Sequence, residues 1–162
     1  MSARRRKVLL VSSSGGHWTE LRRLAPAFDP FERIWCSVLG EMRAEVAPDA
    51  FHLVPDATRW SKLRLAWSAL RVLVVLLRVR PDVVVSTGAA PGYFAVLFAR
   101  FIGARSVWLD SIANAEELSM SGRKAARRAS LTLTQWPELG DALPADPRAR
   151  ARGKVYFAGS VV

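Results

Sequence analysis

Short β-branched runs alternate with helical segments along the chain, and this alternation predicts a parallel α/β sheet. Lys7–Ser12 reads as a buried first strand. Strand-like runs recur at Arg33–Val38, Phe51–Val54, Val83–Ser86, Ser106–Leu109, Leu131–Thr134 and Lys154–Phe157. Helices are predicted from about Trp18 to Ala27 and over Glu41–Val46, Ser61–Val79, Tyr93–Phe101 and Ser121–Ala129. The Ala-, Pro- and Arg-rich segment Gly140–Gly153 reads as an exposed loop, and residues 1–6 as a basic tail. With no internal repeat and no long linker, the 162 residues fit a single doubly wound domain.

Open parallel sheets bind ligands beyond the carboxyl ends of their strands. Three loops should lie there: 13–17, 87–92 and 110–117, which are also the loops richest in Gly, Ser, Asn and acids. The first, Ser14-Gly15-Gly16-His17, follows a strand and opens a helix. Its glycines permit close backbone approach, and the helix amides face any anion. It is neither a G-x-G-x-x-G fingerprint nor a P-loop, so a merely tight turn explains these glycines equally well. His17 stands at the helix entry, either as a general base or as a capping or packed imidazole. Glu20, three residues on, either orients that imidazole or favours the helix N-terminus. Thr87-Gly88-Ala89 leaves room for a substrate. Asp110-Ser111 puts a carboxylate at a strand end, to hold a hydroxyl or to cap the next segment. His52, inside a strand, reads as structural.

Composition narrows the class. Hydrophobic residues are 51% and charged residues 23%, which excludes a disordered chain. One cysteine, Cys36, excludes a disulfide framework and a multi-cysteine metal site; its apolar surroundings predict a buried thiol, and its solitude fits a reducing compartment. No Asp-x-Asp pair, His/Cys metal spacing or Gly-x-Ser-x-Gly elbow occurs, so no metal site is expected. Lys and Arg number 24 against 14 Asp and Glu, a net charge of +10 clustered at 4–7, 59–80, 123–128 and 148–154. Such blocks attract polyanions, and charge alone does not choose among nucleic acid, anionic lipid and phosphorylated substrate. No signal peptide or spanning stretch is present. The segment 59–80 repeats Arg64, Arg71 and Arg78, and Trp60 and Trp67, at seven-residue intervals. An apolar helix with such a basic stripe either packs in a core or sets Trp60, Arg64, Trp67 and Arg71 against a membrane interface.

Taken in order, four blocks resemble a known family: Ser14-Gly15-Gly16-His17-Trp18-Thr19-Glu20-Leu21, Pro81–Ala89, Trp108-Leu109-Asp110-Ser111 and Thr134–Leu139. It is the acceptor-side subunit of two-part UDP-sugar transferases. Its members include the membrane-anchor subunit of the eukaryotic dolichol-linked N-acetylglucosaminyltransferase and bacterial exopolysaccharide counterparts. The resemblance spans about residues 7 to 160. It implies a Rossmann-like N-terminal half of a GT-B glycosyltransferase, the half that holds a lipid-linked acceptor.

The resemblance also implies roles for particular residues. His17 would be the base, with Glu20 and Asp110 in support; the family often has Glu where this chain has Asp110. Ser14, Gly15, Gly16, Thr87, Gly88, Ala89 and Ser111 would line the acceptor site, with Gly15 and Gly16 facing its diphosphate. The donor UDP-sugar would be bound mainly by a separate small subunit supplying the C-terminal half, because this chain ends about where the link to that half would begin. No further cofactor is expected. Without the anchor helix of eukaryotic members, attachment would be peripheral, at the cytoplasmic face of the plasma membrane, to an anionic surface carrying a polyprenyl-diphosphate-linked glycan. Amide dipoles and basic groups would stabilise the departing diphosphate, in keeping with the missing Asp-x-Asp. Two alternatives are a non-catalytic recruiting subunit and a free-standing basic nucleotide or nucleic-acid binder; no nucleic-acid motif supports the latter.

Overall fold

A computed structural model describes residues 4–57 and 61–161. Its strands are β1 (Lys7–Val11), β2 (Glu32–Ser37), β3 (Ala50–Leu53), β4 (Val83–Ser86), β5 (Arg105–Leu109), β6 (Leu131–Thr134), β7 (Asp141–Ala142) and β8 (Val155–Phe157). The helices are α1 (Gly16–Leu24), α2 (Met42–Glu45), α3 (Lys62–Val79), α4 (Ala89–Ala99) and α5 (Met120–Ala126). All strand pairings are parallel, in the order β3-β2-β1-β4-β5-β6-β8-β7. The chain winds outward from β1 to β3, then returns to the centre and winds the other way from β4. The order therefore reverses between β1 and β4, where a doubly wound sheet opens its crevice.

Strand alternation explains why both faces are covered. Leu9 and Val11 point to one side with Val84, where Val72, Val75, Leu76 and Val79 of α3 and Ala95 and Ala99 of α4 pack on them. Val8, Leu10 and Val85 point to the other, against Trp18 and Leu21 of α1 and Met42 of α2. Continuous Val/Leu runs are what a parallel sheet buried on both sides requires. Ser61 starts α3 by accepting a hydrogen bond from the Arg64 amide at 3.4 Å, and Arg80, in the left-handed conformation just before Pro81, ends it.

Three segments depart from expectation. Helix α4 begins at Ala89, four residues before the predicted Tyr93, because Pro91 sits in the first turn, where a missing N–H costs nothing. Residues 25–28 leave α1 as a 3-10 turn around Pro26. The predicted loop 140–153 is exposed or half-exposed throughout, yet it carries β7, which extends the sheet beyond β8, and a 3-10 turn at Pro147–Ala149. Cys36 is fully buried, and burial pushes its thiol up to about 12.

Candidate functional site

The reversal point puts two loops side by side. Val11 pairs with Ser86 at the ends of β1 and β4, so the turns beyond them open α1 and α4 at the same sheet edge. Neither helix has a side chain capping its N-terminus. Gly15, at φ 71°, makes the turn into α1, and a methyl group on Gly15 or Gly16 would meet only open space. The N-terminus of α1 is thus uncapped, with Gly15 and Gly16 exposed at the positive end of the helix dipole.

His17 bridges the two loops. Its Nδ1 lies 2.9 Å from the Thr87 carbonyl oxygen, and the Thr87 hydroxyl donates back to the His17 carbonyl at 2.6 Å. A carbonyl can only accept, so Nδ1 carries the proton in this contact, and in the neutral ring it is Nε2 that holds the lone pair. The ring lies over Gly88, at φ 147°, where a Cβ would collide with Nδ1 and Cε1. Only glycine permits this approach. Ala89, at φ 62°, completes a tight and strained turn between Thr87 and α4. Among the described residues no hydrogen bond occupies Nε2, and the side chain is half-buried. The geometry is that of an oriented imidazole with one free acceptor nitrogen beside two helix N-termini.

The two carboxylates expected beside it point elsewhere. Asp110 is 2% exposed and accepts four hydrogen bonds. Oδ1 takes the Trp108 indole at 3.0 Å and the Ser119 hydroxyl at 2.6 Å; Oδ2 takes the Ser119 amide at 2.7 Å and Asn114 Nδ2 at 3.3 Å. Ser119 in turn caps α5 through the Gly122 amide. Asp110 therefore ties the β5 loop to α5 and presents no free oxygen to a substrate. Glu20, 6% exposed, does not touch the imidazole: Oε1 accepts from Ser111 Oγ and the Ile112 amide, both at 2.9 Å, while Oε2 is buried with no partner. It is the Thr87 carbonyl that orients His17. Ser111, expected on the acceptor, donates its hydroxyl to Glu20 instead.

Residues to which the sequence assigns no role complete the frame. Gln135 donates to the Asp110 carbonyl at 3.1 Å and Trp136 to the Ile112 carbonyl at 2.8 Å, so the segment after β6 holds the Asp110 loop. The blocks around Trp108 and Gln135 are visible in the sequence, but their contacts join distant positions. His52 lies half-buried in β3, and burial, then the nearby Arg78 and Arg43 charges, hold it below the ordinary imidazole range.

Helix α3 resolves the choice between core and surface by having both. Val72, Val75, Leu76 and Val79 are buried, whereas Leu63 is 86% exposed and Trp67, Leu70 and Leu77 are about half-exposed. At about 100° per residue these four share one face, opposite the buried one. Arg64, Arg71 and Arg78 run alongside, with the Arg71 guanidinium 6.0 Å from the Trp67 ring centre. Trp60 lies outside the described residues. Near the strand ends, Val38, Leu53, Val54 and Pro55 form a groove of about 340 Å³ with Trp67 and Arg71. Among the described residues no helix is long and apolar enough to cross a membrane, and no cluster of metal ligands occurs.

No protein-family model matches the chain, and no curated protein matches its sequence. Solved structures do match in fold. MurG of Acinetobacter baumannii superposes with a TM-score of 0.70 at 12% identity over 94% of this chain and 45% of its own. UDP-N-acetylglucosamine 2-epimerase from Rickettsia bellii gives 0.67 at 14%, over 98% of this chain and 46% of that one. A glycosyltransferase from Rickettsia africae gives 0.62 at 13%, over 97% and 43%. The chain thus spans about half the length of the structures it matches, and its fold is the Rossmann-like half of a GT-B molecule.

Proposed function

We propose that this chain is the acceptor-binding part of a metal-independent glycosyltransferase. In this reading it binds a polyprenyl-diphosphate-linked sugar at an anionic membrane surface. A separate UDP-sugar-binding subunit joins it to transfer a hexose or N-acetylhexosamine. The observation that carries the reading is the placement of His17: its Nδ1 is fixed by Thr87, its Nε2 is free, and the uncapped amides of α1 and α4 lie beside it. A sugar hydroxyl presented there loses its proton to Nε2 as its oxygen bonds to the donor's anomeric carbon. The bond from that carbon to the diphosphate oxygen breaks, and UDP leaves with the electron pair. Gly15 and Gly16 leave the backbone open to the acceptor's own diphosphate. The exposed apolar stripe of α3, flanked by arginines, supports a peripheral contact with lipid. Asp110, Ser111 and Glu20 act as the frame that holds the loops.

A recruiting subunit with all its chemistry on the partner is the second reading. The inward-turned carboxylates of Asp110 and Glu20 favour it, since Asp110 is fully engaged and the partnerless Oε2 of Glu20 is buried, which leaves His17 without a carboxylate beside it.

Farnesyl diphosphate, a short polyprenyl diphosphate, tests the acceptor site by calorimetric titration. In Gly16→Asp a carboxylate joins the first turn of α1, where it favours the helix and repels a diphosphate. Binding should weaken about tenfold or more, equivalent to roughly 1.4 kcal/mol, while the thermal midpoint holds or rises. Unchanged affinity in a folded Gly16→Asp chain would remove the diphosphate from this edge.

A further inference from the structure

The opposite edge of the sheet holds a second site of different chemistry. Between the amino ends of β4, β5 and β6 lies a cavity of about 770 Å³. Six arginines line it, and no Asp or Glu does: Arg100, Arg105, Arg128, Arg148, Arg150 and Arg152. They come from four separate places in the fold: the turn after α4, the first residue of β5, the segment after α5, and the connection between β7 and β8. Among the described residues, none of the six forms an ion pair with a carboxylate. Two carboxylates adjoin lining residues in sequence, and backbone already holds both: Asp82 accepts from the Lys7 amide at 2.7 Å and Asp146 from the Arg148 amide at 2.8 Å. Of the guanidiniums, that of Arg150 reaches only the Pro144 carbonyl, at 3.4–3.5 Å, and that of Arg100 stacks 4.9 Å from the Phe101 ring centre.

Like charges gathered around a concavity repel one another, and the low-dielectric walls focus their field on whatever enters. Solvated arginines on one helix face would be ordinary. Here four chain segments converge on one space, with Val83, Val107 and Leu131 as apolar floor. The volume falls in the ordinary range for small-molecule sites, and guanidinium forks match phosphate oxygens two at a time. We propose that this cavity binds a small ligand carrying several clustered phosphates, such as an oligophosphate or a nucleoside polyphosphate. A compact ligand fits better than a nucleic acid, which would need a continuous groove rather than a hollow. At about 3.3 Å per strand residue the cavity lies roughly 15 Å from His17, so it is a site separate from the proposed acceptor edge.

The test uses inorganic tripolyphosphate and the full chain carrying Gly16→Asp, which repels anions from the α1 edge and so weakens any binding there. Saturable one-to-one binding is expected by calorimetry. It should weaken at least tenfold in Arg148→Ser/Arg150→Ser/Arg152→Ser and again in Arg105→Ser/Arg128→Ser, which reaches the cavity from the other side. Arg43→Ser/Lys62→Ser removes surface charge from α2 and the start of α3 without touching the cavity and should leave binding unchanged. Thermal melts check that each variant folds. A parallel titration with ATP assigns the ligand: tighter binding than tripolyphosphate makes it a nucleoside polyphosphate, equal binding a free oligophosphate. Three results would overturn the proposal: no saturable binding, an equal loss in the Arg43→Ser/Lys62→Ser control, or RNA binding that tripolyphosphate fails to displace. Because the cavity lies at the opposite edge of the sheet from His17, none of them bears on the proposed transferase.

Discussion

The two edges of this sheet use charge in opposite ways. At the carboxyl edge the two buried acids are consumed internally: Asp110 takes four donors and Glu20 two, and beside the turns at Gly15 and Gly88 an imidazole nitrogen and backbone amides are left without a partner. At the amino edge six guanidiniums stand around a cavity with no carboxylate lining it. The first edge is built by pairing, so its geometry is fixed before any ligand arrives. The second is left unpaired, so its charge is available. Preorganised dipoles suit a reacting centre, whereas uncompensated charge suits simple capture of an anion. The difference teaches that net charge locates neither site; the pairing of each charged group does.

The largest effect should come from breaking the first edge at the His17 imidazole. His17→Ala removes the oriented nitrogen from a half-buried site whose backbone contacts stay in place. If the proposed complex is the active form, its transfer to a lipid-linked acceptor should fall about 10²- to 10⁴-fold, the usual contribution of a general base. Acceptor affinity should change little. Transfer that survives the substitution would assign the chain the recruiting role instead.

Next in size is the packing beneath that edge. A Cβ at Gly92 would collide with Ser86 Oγ and lie 3.5 Å from the Val11 carbonyl oxygen, so α4 can approach β4 only through glycine. Gly92→Ala should destabilise the chain by about 1–3 kcal/mol, as overpacked cores do. A denaturant midpoint equal to that of the original chain would show that the Ser86 hydroxyl swings away freely.

A smaller pair of substitutions separates the two carboxylates. All four groups facing Asp110 are donors, so Asp110→Asn turns an amide NH₂ toward donors and should cost about 1–3 kcal/mol. Glu20→Gln keeps Oε1, with both its donors, and changes only the partnerless Oε2. Its stability should stay within about 1 kcal/mol. Chemical unfolding of the two variants side by side checks the contrast. A Glu20→Gln chain as unstable as Asp110→Asn would place a hidden donor on Oε2.

Much of the carboxyl edge is legible in the order of residues alone. The β-branched runs at Lys7–Val11 and Val83–Ser86 announce buried parallel strands, and the doubly wound rule then puts the loops at Gly15 and Gly88 on one edge. Which polar groups are already engaged is written in no local pattern. The partners of Asp110 lie two residues before it and four to nine after, and that of Glu20 is Ser111, on another loop. Spacing suggests that Glu20 serves His17, three residues away on the same helix, and tertiary contact with Ser111 takes precedence. The start of α4 is hidden because Ala89, Ala90 and Pro91 read as loop. The arginine cavity is hidden for a similar reason: Arg128 and Arg148 to Arg152 belong to two separate basic clusters in the sequence, and only the fold brings these together with Arg100 and Arg105.

The smallest effect separates the two histidines. His17 faces a carbonyl, whereas His52 is half-buried with the charges of Arg78 and Arg43 nearby, so its folded state resists taking a proton. In the unfolded chain its imidazole returns to about 6.5. Below that value the unfolded state binds the proton more readily than the folded one, so stability due to this group falls as pH drops. Above it both states are neutral and the contribution is constant. The original chain should therefore melt lower at about pH 5.5 than at about pH 7.5, on either side of that value. His52→Gln, which cannot take the charge, should show a shallower decline between the same two points. If the two chains decline in parallel, neither burial nor the charges of Arg78 and Arg43 keep the proton off His52.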